Sequence, residues 1–156
     1  MNEELHPASI TKVMTLGLAC EKAQGNWEDT KLIVSHEDVY SLAGTDSSHI
    51  ALLEGEEVPL TDALYATQMA SANDGANLLA EYFGGGTIAD GVEKMNAKVK
   101  ELGLAHTHFS NPHGISDEGM TIIMITHEPS IAACADKTYR ILDGELRTQE
   151  EPDEKA

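Results

Sequence analysis

The stretch His6-Pro7-Ala8-Ser9-Ile10-Thr11-Lys12-Val13-Met14-Thr15 decides how the rest of the chain is read. Residues three apart share one helix face, so Ser9-x-x-Lys12 at a helix start sets an amine beside a hydroxyl. A serine hydroxyl is a poor nucleophile without an adjacent base, and a lysine serves as that base once burial lowers its pKa toward neutrality. The residues that follow suit that requirement. Val13, Met14, Leu16, Leu18 and Ala19 make an apolar helix expected to be buried on most sides, running from Pro7 to about Lys22 and ended by Gly25. Pro7 suits a first helical position and places Ser9 in the first turn, where free N–H groups and the helix dipole favour an oxyanion.

Downstream, Lys31 to Ser35 reads as a short strand and Ser41 to Ile50, rich in small polar residues, as a loop. Leu53 to Leu60 reads as a turn into a helix capped by Thr61 or Asp62, which runs to about Met69 with Leu64 and Met69 as its apolar positions. That helix delivers the chain to Ser71-Ala72-Asn73. Asp74 to Tyr82 is a second amphipathic helix, stopped by Gly84-Gly85-Gly86. Thr87 to Leu102 is a third, with Ile88, Val92, Met95, Val99 and Leu102 alternating at spacings of four and three. Near Gly119 the character changes. Thr121 to Thr126 is a β-branched run suited to a buried strand, Pro129 to Ala135 reads as a helix and Thr138 to Leu142 as a second strand, with Asp143-Gly144 as a turn signal before Glu145-Leu146-Arg147.

His6 to Thr15 resembles the nucleophile segment of the serine D-alanyl-D-alanine carboxypeptidases, penicillin-binding enzymes related to the class A β-lactamases. Ser71-Ala72-Asn73-Asp74-Gly75-Ala76-Asn77 resembles the family's second motif, Ser-x-Asn. Met95-Asn96-Ala97-Lys98, Glu101-Leu102-Gly103 and Thr107 to Gly114 resemble the stretch that follows it, in the family's order. The resemblance implies an α+β chain with a truncated β-lactamase/transpeptidase-like fold, mainly helical at the N-terminal side with a strand-helix-strand segment after it. It implies Ser9 as the acylated nucleophile, Lys12 as its base, Ser71 as a proton relay and Asn73 as a ligand for the substrate amide, with no metal and no cofactor. The implied reaction is acyl transfer from a D-Ala-D-Ala peptide of peptidoglycan, with β-lactams as alternative acyl donors. His113 matches a family position and reads here as a packing residue.

The family's third motif, a Lys-Thr-Gly strand beside the oxyanion hole, does not occur in the 156 residues; the nearest match is Lys137-Thr138-Tyr139, where tyrosine stands in place of the glycine that close backbone approach favours. Thr121 to Arg147 resembles instead the end of an ABC-transporter ATPase domain, with His127 at the switch position, but no phosphate-cradling Gly-x-x-x-x-Gly-Lys-Ser/Thr accompanies it. His127 therefore reads as a strand-end histidine rather than a nucleotide contact. The organisation expected is a carboxypeptidase-like region over residues 1–119, the strand-helix-strand over 120–147 and an acidic disordered tail over 148–156. Two functional readings follow: a carboxypeptidase-like acyl enzyme weakened by loss of the third motif, or a catalytically silent chimera carrying remnant motifs.

Charge narrows the partners. A formal charge of −17 with no basic run argues against nucleic acid and anionic membrane surfaces. No apolar stretch reaches membrane-spanning length. The start Met1-Asn2-Glu3-Glu4 lacks an export signal's basic and apolar runs, so the chain as written is expected in the cytoplasm, although the resembled family works in the cell envelope. Cys20 and Cys134 read as buried free thiols. The sequence leaves the oligomeric state open.

Overall fold

The computed structural model describes residues 7–115, 139–142 and 145–148. The chain divides into two compact units, Met1–Ile122 and Ile123–Ala156. The expected strand over 121–126, helix over 129–135, turn at 143–144 and tail beyond 148, together with Cys134, His127 and Lys137-Thr138, lie outside the described residues.

In the first unit a 3₁₀ turn, Ala8–Thr11, leads into α1, Lys12–Ala23. There follow β1, Lys31–Ile33; α2, His36–Tyr40; β2, Glu57–Pro59; α3, Leu60–Met69; α4, Asn73–Gly84; and α5, Ile88–Glu101. The mixed, helix-rich architecture agrees with the α+β expectation. Strands β1 and β2 pair antiparallel, with Leu32 opposite Val58, and both of those side chains are buried. In the second unit β3, Tyr139–Leu142, pairs antiparallel with β4, Glu145–Thr148, in the register Tyr139 to Thr148 and Leu142 to Glu145. The strand expected over Thr138 to Leu142 is thus present from Tyr139, and Thr148 ends β4 rather than opening the tail.

Helix α4 is the centre of the first unit. It packs against α5, α1, α3, α2 and β1, and every residue from Asn73 to Ala80 is buried. The sequence pattern predicts an amphipathic helix here, but a helix surrounded by neighbours has no solvent face, which is why small residues (Gly75, Ala76, Ala80) alternate with Leu78 and Leu79. Fully buried Leu60, Leu78, Leu79 and Met95 anchor this core, each contributing roughly 1.5–3 kcal/mol of burial. Gly91 explains the closeness of α4 and α5: a Cβ there would stand 2.5 Å from the Ala80 carbonyl oxygen, so only glycine lets the two backbones meet. At its end, α4 turns out through Gly85 in the left-handed region, as the glycine run predicts.

Several expectations are corrected. Helix α1 begins at Lys12, so Ser9 sits in the 3₁₀ turn ahead of it with Pro7 as that turn's N-cap. The buried stripe of α1 is Lys12, Thr15, Ala19 and Ala23, whereas Val13 is 67% exposed and Met14, Leu16 and Leu18 are half-buried. Helix α1 packs against α4, α3 and α5, with buried Thr15 reaching Met95 of α5. Cys20 is half-buried and free. Helix α3 starts at Leu60, two residues ahead of the expected helix start, because β2 feeds it directly and the Leu60 N–H continues the strand pairing to the Thr30 carbonyl. Its buried residues are Leu60, Ala63 and Thr67, and Met69 lies 82% exposed at its end. The short helix α2 was legible but missed. Ser35-His36-Glu37-Asp38 is a capping box in which the Ser35 hydroxyl accepts the Asp38 N–H and the Asp38 carboxylate accepts the Ser35 N–H.

Candidate active site

Three chain segments converge on Ser9. The 3₁₀ turn presents its hydroxyl at the surface, α1 brings Lys12 from below and the α3–α4 junction brings Ser71 from the side. Lys12 Nζ donates to Ser9 Oγ at 3.1 Å, and Ser71 Oγ donates to Ser9 Oγ at 2.8 Å. Lys12 also donates to the His113 carbonyl at 3.1 Å. Its side chain is buried, and burial lowers the amine's pKa to about 8. A buried ammonium loses hydration, and two neutral oxygen acceptors only partly replace it, so the balance shifts toward the neutral amine relative to a solvated lysine.

Asn73 occupies the first position of α4 and is buried. Its backbone N–H donates to the Ser48 carbonyl at 2.9 Å, while its side-chain Oδ1 is buried without a hydrogen-bond partner. The structure thus brings Ser9, Lys12 and Ser71 into one hydrogen-bonded set and places Asn73 two residues from Ser71 with an acceptor left open.

The contribution of residues 109–115 was underestimated by the sequence. His113 acts through its main-chain oxygen, which holds Lys12, and its ring Nδ1 accepts the Ile115 N–H. Asn111 shapes the turn that delivers this oxygen: its Oδ1 accepts the Gly114 N–H at 2.6 Å and its amide donates to the Ile115 carbonyl. Asn96 on α5 grips the start of the segment, donating to the Phe109 carbonyl and accepting the Phe109 N–H. Thr15, one turn after Lys12, donates to the Pro112 carbonyl at 2.6 Å. Gly114 has φ +85 and rests directly on the Ala8 carbonyl, so that no side chain fits there. The cluster Asn111-Pro112-His113-Gly114 was the available signal, since Asn, Pro and Gly together mark a tight turn whose backbone does the work.

Strain concentrates at the same place. Ala8, immediately before Ser9, has φ +49 and Ser71 has φ +54, both in the left-handed region that non-glycine residues avoid at a cost of roughly 1–2 kcal/mol each. Two strained residues flanking one hydroxyl pair show that the surrounding packing imposes the geometry.

A surface serine held by a desolvated lysine and a second serine is the arrangement of a serine acyl-transfer site. The model of the D-alanyl-D-alanine carboxypeptidase family matches residues 1–152, and the chain belongs to that family. It is 40% identical over 119 residues to D-alanyl-D-alanine carboxypeptidase DacF of Bacillus subtilis, covering 76% of this chain and 30% of DacF. The structure is similar to that of the D-alanyl-D-alanine carboxypeptidase DacD from Francisella tularensis, with a TM-score of 0.63 and 32% identity over 77% of this chain and 28% of that one. It is also similar to PBP3, a peptidoglycan synthesis regulatory factor from Streptococcus pneumoniae, with a TM-score of 0.66 and 28% identity over 75% of this chain and 33% of that one. The chain therefore spans about three tenths of the length of DacF. No described helix is long and apolar enough to cross a membrane.

Proposed function

We propose that residues 7–115 carry the acylation machinery of a serine D-Ala-D-Ala carboxypeptidase acting on peptidoglycan stem peptides. Ser9 Oγ attacks the carbonyl carbon of the D-Ala-D-Ala bond. Neutral Lys12 takes the hydroxyl proton across its 3.1 Å contact. Ser71, 2.8 Å from Ser9, passes a proton to the leaving nitrogen, D-alanine departs, and water then cleaves the ester. Asn73, two residues from Ser71, is assigned to the substrate amide; its Oδ1 is buried without a hydrogen-bond partner, at a cost of about 1–3 kcal/mol that a donor would recover if the side chain turned toward the ligand. The observation that carries this reading is the Lys12–Ser9–Ser71 hydrogen-bonded set around a lysine whose pKa is lowered to about 8.

Taken by themselves, these 156 residues, which span about three tenths of the length of DacF, are proposed to form a weakened enzyme. The family's Lys-Thr-Gly strand supplies the substrate-carboxylate site beside the oxyanion hole, and the 156 residues contain no Lys-Thr-Gly. Losing one oxyanion donor typically slows turnover by roughly 100- to 1000-fold, so acylation by a strained β-lactam should survive better than peptide hydrolysis. The test is a labelled penicillin with intact-mass detection. A one-to-one adduct on Ser9, absent from Ser9→Ala, is the expected result; folded protein with no adduct at millimolar penicillin overturns the proposal.

A second reading is a silent chimera, in which residues 1–119 are a carboxypeptidase remnant and residues 120–147 derive from an ABC-type ATPase end. The division of the chain into units at Ile122 and Ile123, three residues past the change in sequence character, is what suggests it, whereas the carboxypeptidase family match running on to residue 152 weighs against it. It predicts no penicillin adduct, and because the phosphate-cradling loop is missing it also predicts an unchanged melting temperature in millimolar ATP.

A further inference from the structure

Asp74 follows Asn73 on α4 and is almost wholly buried, yet it touches none of Ser9, Lys12 or Ser71 through a hydrogen bond of its side chain. Its carboxylate is instead spent on backbone. Oδ1 accepts the Gly75 N–H at 2.9 Å, both oxygens accept the Ile50 N–H at 3.2 Å, and Oδ2 accepts the Leu52 N–H at 3.1 Å. Between the two clamped loop amides lies Ala51, a non-glycine residue at φ +58. A helix N-terminus needs only local N–H partners for a capping acid, and the Gly75 contact meets that need. The bonds to Ile50 and Leu52 reach more than twenty residues back along the chain and hold a strained loop in place.

What that loop carries is the second motif's support. Ser48, two residues before Ile50, accepts the Asn73 N–H through its carbonyl at 2.9 Å and donates its hydroxyl to the Ser71 carbonyl at 3.3 Å. Ser71 is the left-handed residue at φ +54, and its own hydroxyl must meet Ser9 at 2.8 Å. Strain of this kind persists only where neighbours over-determine the backbone.

We propose that Asp74 is a positioning residue for Ser71 and Asn73, acting through the Ser48–Leu52 loop that its carboxylate pins; this rests on the acyl-transfer role given to Ser71 above. Asp74 fixes Ile50 and Leu52, these fix Ser48, and Ser48 holds the Ser71 carbonyl and the Asn73 amide in the conformation that aims the Ser71 hydroxyl at Ser9.

Two substitutions separate positioning from simple stabilisation. Asp74→Asn keeps the shape but replaces one acceptor oxygen by a donor facing backbone N–H groups. Ser48→Ala removes an exposed hydroxyl and its one contact to Ser71. The readouts are the melting temperature, the second-order rate of Ser9 acylation by labelled penicillin and the hydrogen-exchange rate of the Asn73 amide. For Ser48→Ala, acylation should fall roughly 5- to 10-fold at an unchanged melting temperature, with Ser48→Thr recovering most of the loss, because small misplacements of a reacting group cost rate rather than stability. For Asp74→Asn, the Asn73 amide should exchange at least about tenfold faster as its bond to Ser48 loosens. Wild-type acylation in Ser48→Ala together with an unchanged Asn73 amide in Asp74→Asn overturns the proposal. If wild-type protein is not acylated at all, the acyl-transfer reading fails, and the exchange measurement alone then decides whether Asp74 places the loop.

Discussion

Gly114→Ala tests the link between main-chain geometry and Lys12, the proposed base. A Cβ at Gly114 would stand 2.5 Å from the Ala8 carbonyl carbon and 2.7 Å from Thr11 Oγ1, on a residue whose φ is +85. Carbon atoms pack at about 3.5 Å or more, so the segment must retreat from the 3₁₀ turn by about 1 Å. The neighbouring His113 carbonyl moves with it. Its bond from Lys12 Nζ, 3.1 Å in the native structure, then stretches toward 4 Å and ceases to be a hydrogen bond. Overpacking costs roughly 1–3 kcal/mol and the left-handed backbone about 1–2 more. A loss of about 3 kcal/mol lowers the melting temperature of a domain this size by on the order of 10 °C. Acylation should fall further than stability, by roughly 100-fold, because Lys12 is released from alignment with Ser9. The assay is thermal unfolding by circular dichroism beside penicillin acylation below the variant's own melting temperature. Gly17→Ala is the control. Gly17 lies within α1 with nothing within 4 Å of a new Cβ, so the same chemical change should be neutral or stabilising by up to about 1 kcal/mol. A Gly114→Ala protein that melts within 2 °C of wild type and acylates at the wild-type rate would refute the reasoning.

The pH dependence of acylation should report Lys12. With its pKa at about 8, about one tenth of the amine is neutral at pH 7 and about nine tenths at pH 9, so the rate should rise nearly tenfold between them and then level; a rate still climbing log-linearly at pH 10 would show an ordinary, solvated lysine. Asp38 should govern stability against pH. Burial pushes its carboxyl up to about 7, with the Glu81 and Glu37 charges adding to burial and the Ser35 hydrogen bonds opposing it. Because the folded pKa is raised above the unfolded value near 4, the native state holds the proton more tightly: this stability is complete below about pH 4 and is lost as pH rises through about 7. The melting temperature should therefore carry a downward component from pH 5 to pH 8 that Asp38→Asn removes, and an identical slope in the variant would exclude Asp38 as its source.

Much of the helical framework could be read from local chemistry. Thr87 caps α5 by accepting the Asp90 N–H, as a threonine ahead of an apolar periodic run should, and Gly85 closes α4 with the left-handed turn that glycine permits. Strand β1 is legible in the run Lys31 to Ser35, but β2 is not, because three residues are too short to show a period and the pairing of Leu32 with Val58 across 26 residues is a tertiary contact. Met69 illustrates the converse error: an apolar side chain at the end of α3 reads as core, yet the chain turns into Ser71 before any neighbour can cover it. Asp74 was read only as part of a motif, since its partners, Ile50 and Leu52, lie in a loop whose path the sequence does not announce.

The sequence by itself determined that Ser9 and Lys12 would share a face, because three residues of helical backbone bring i and i+3 together whatever surrounds them. It also determined which residues could serve, since the chemistry needs a hydroxyl, an amine and an apolar helix to bury the amine. Only the tertiary structure decided that Ser71 would reach Ser9 across 62 residues and that a main-chain oxygen 101 residues away would hold Lys12. Those contacts depend on α4 being enclosed by its neighbours and on Gly114 meeting Ala8, and close packing between segments distant in sequence leaves no periodic trace in the chain.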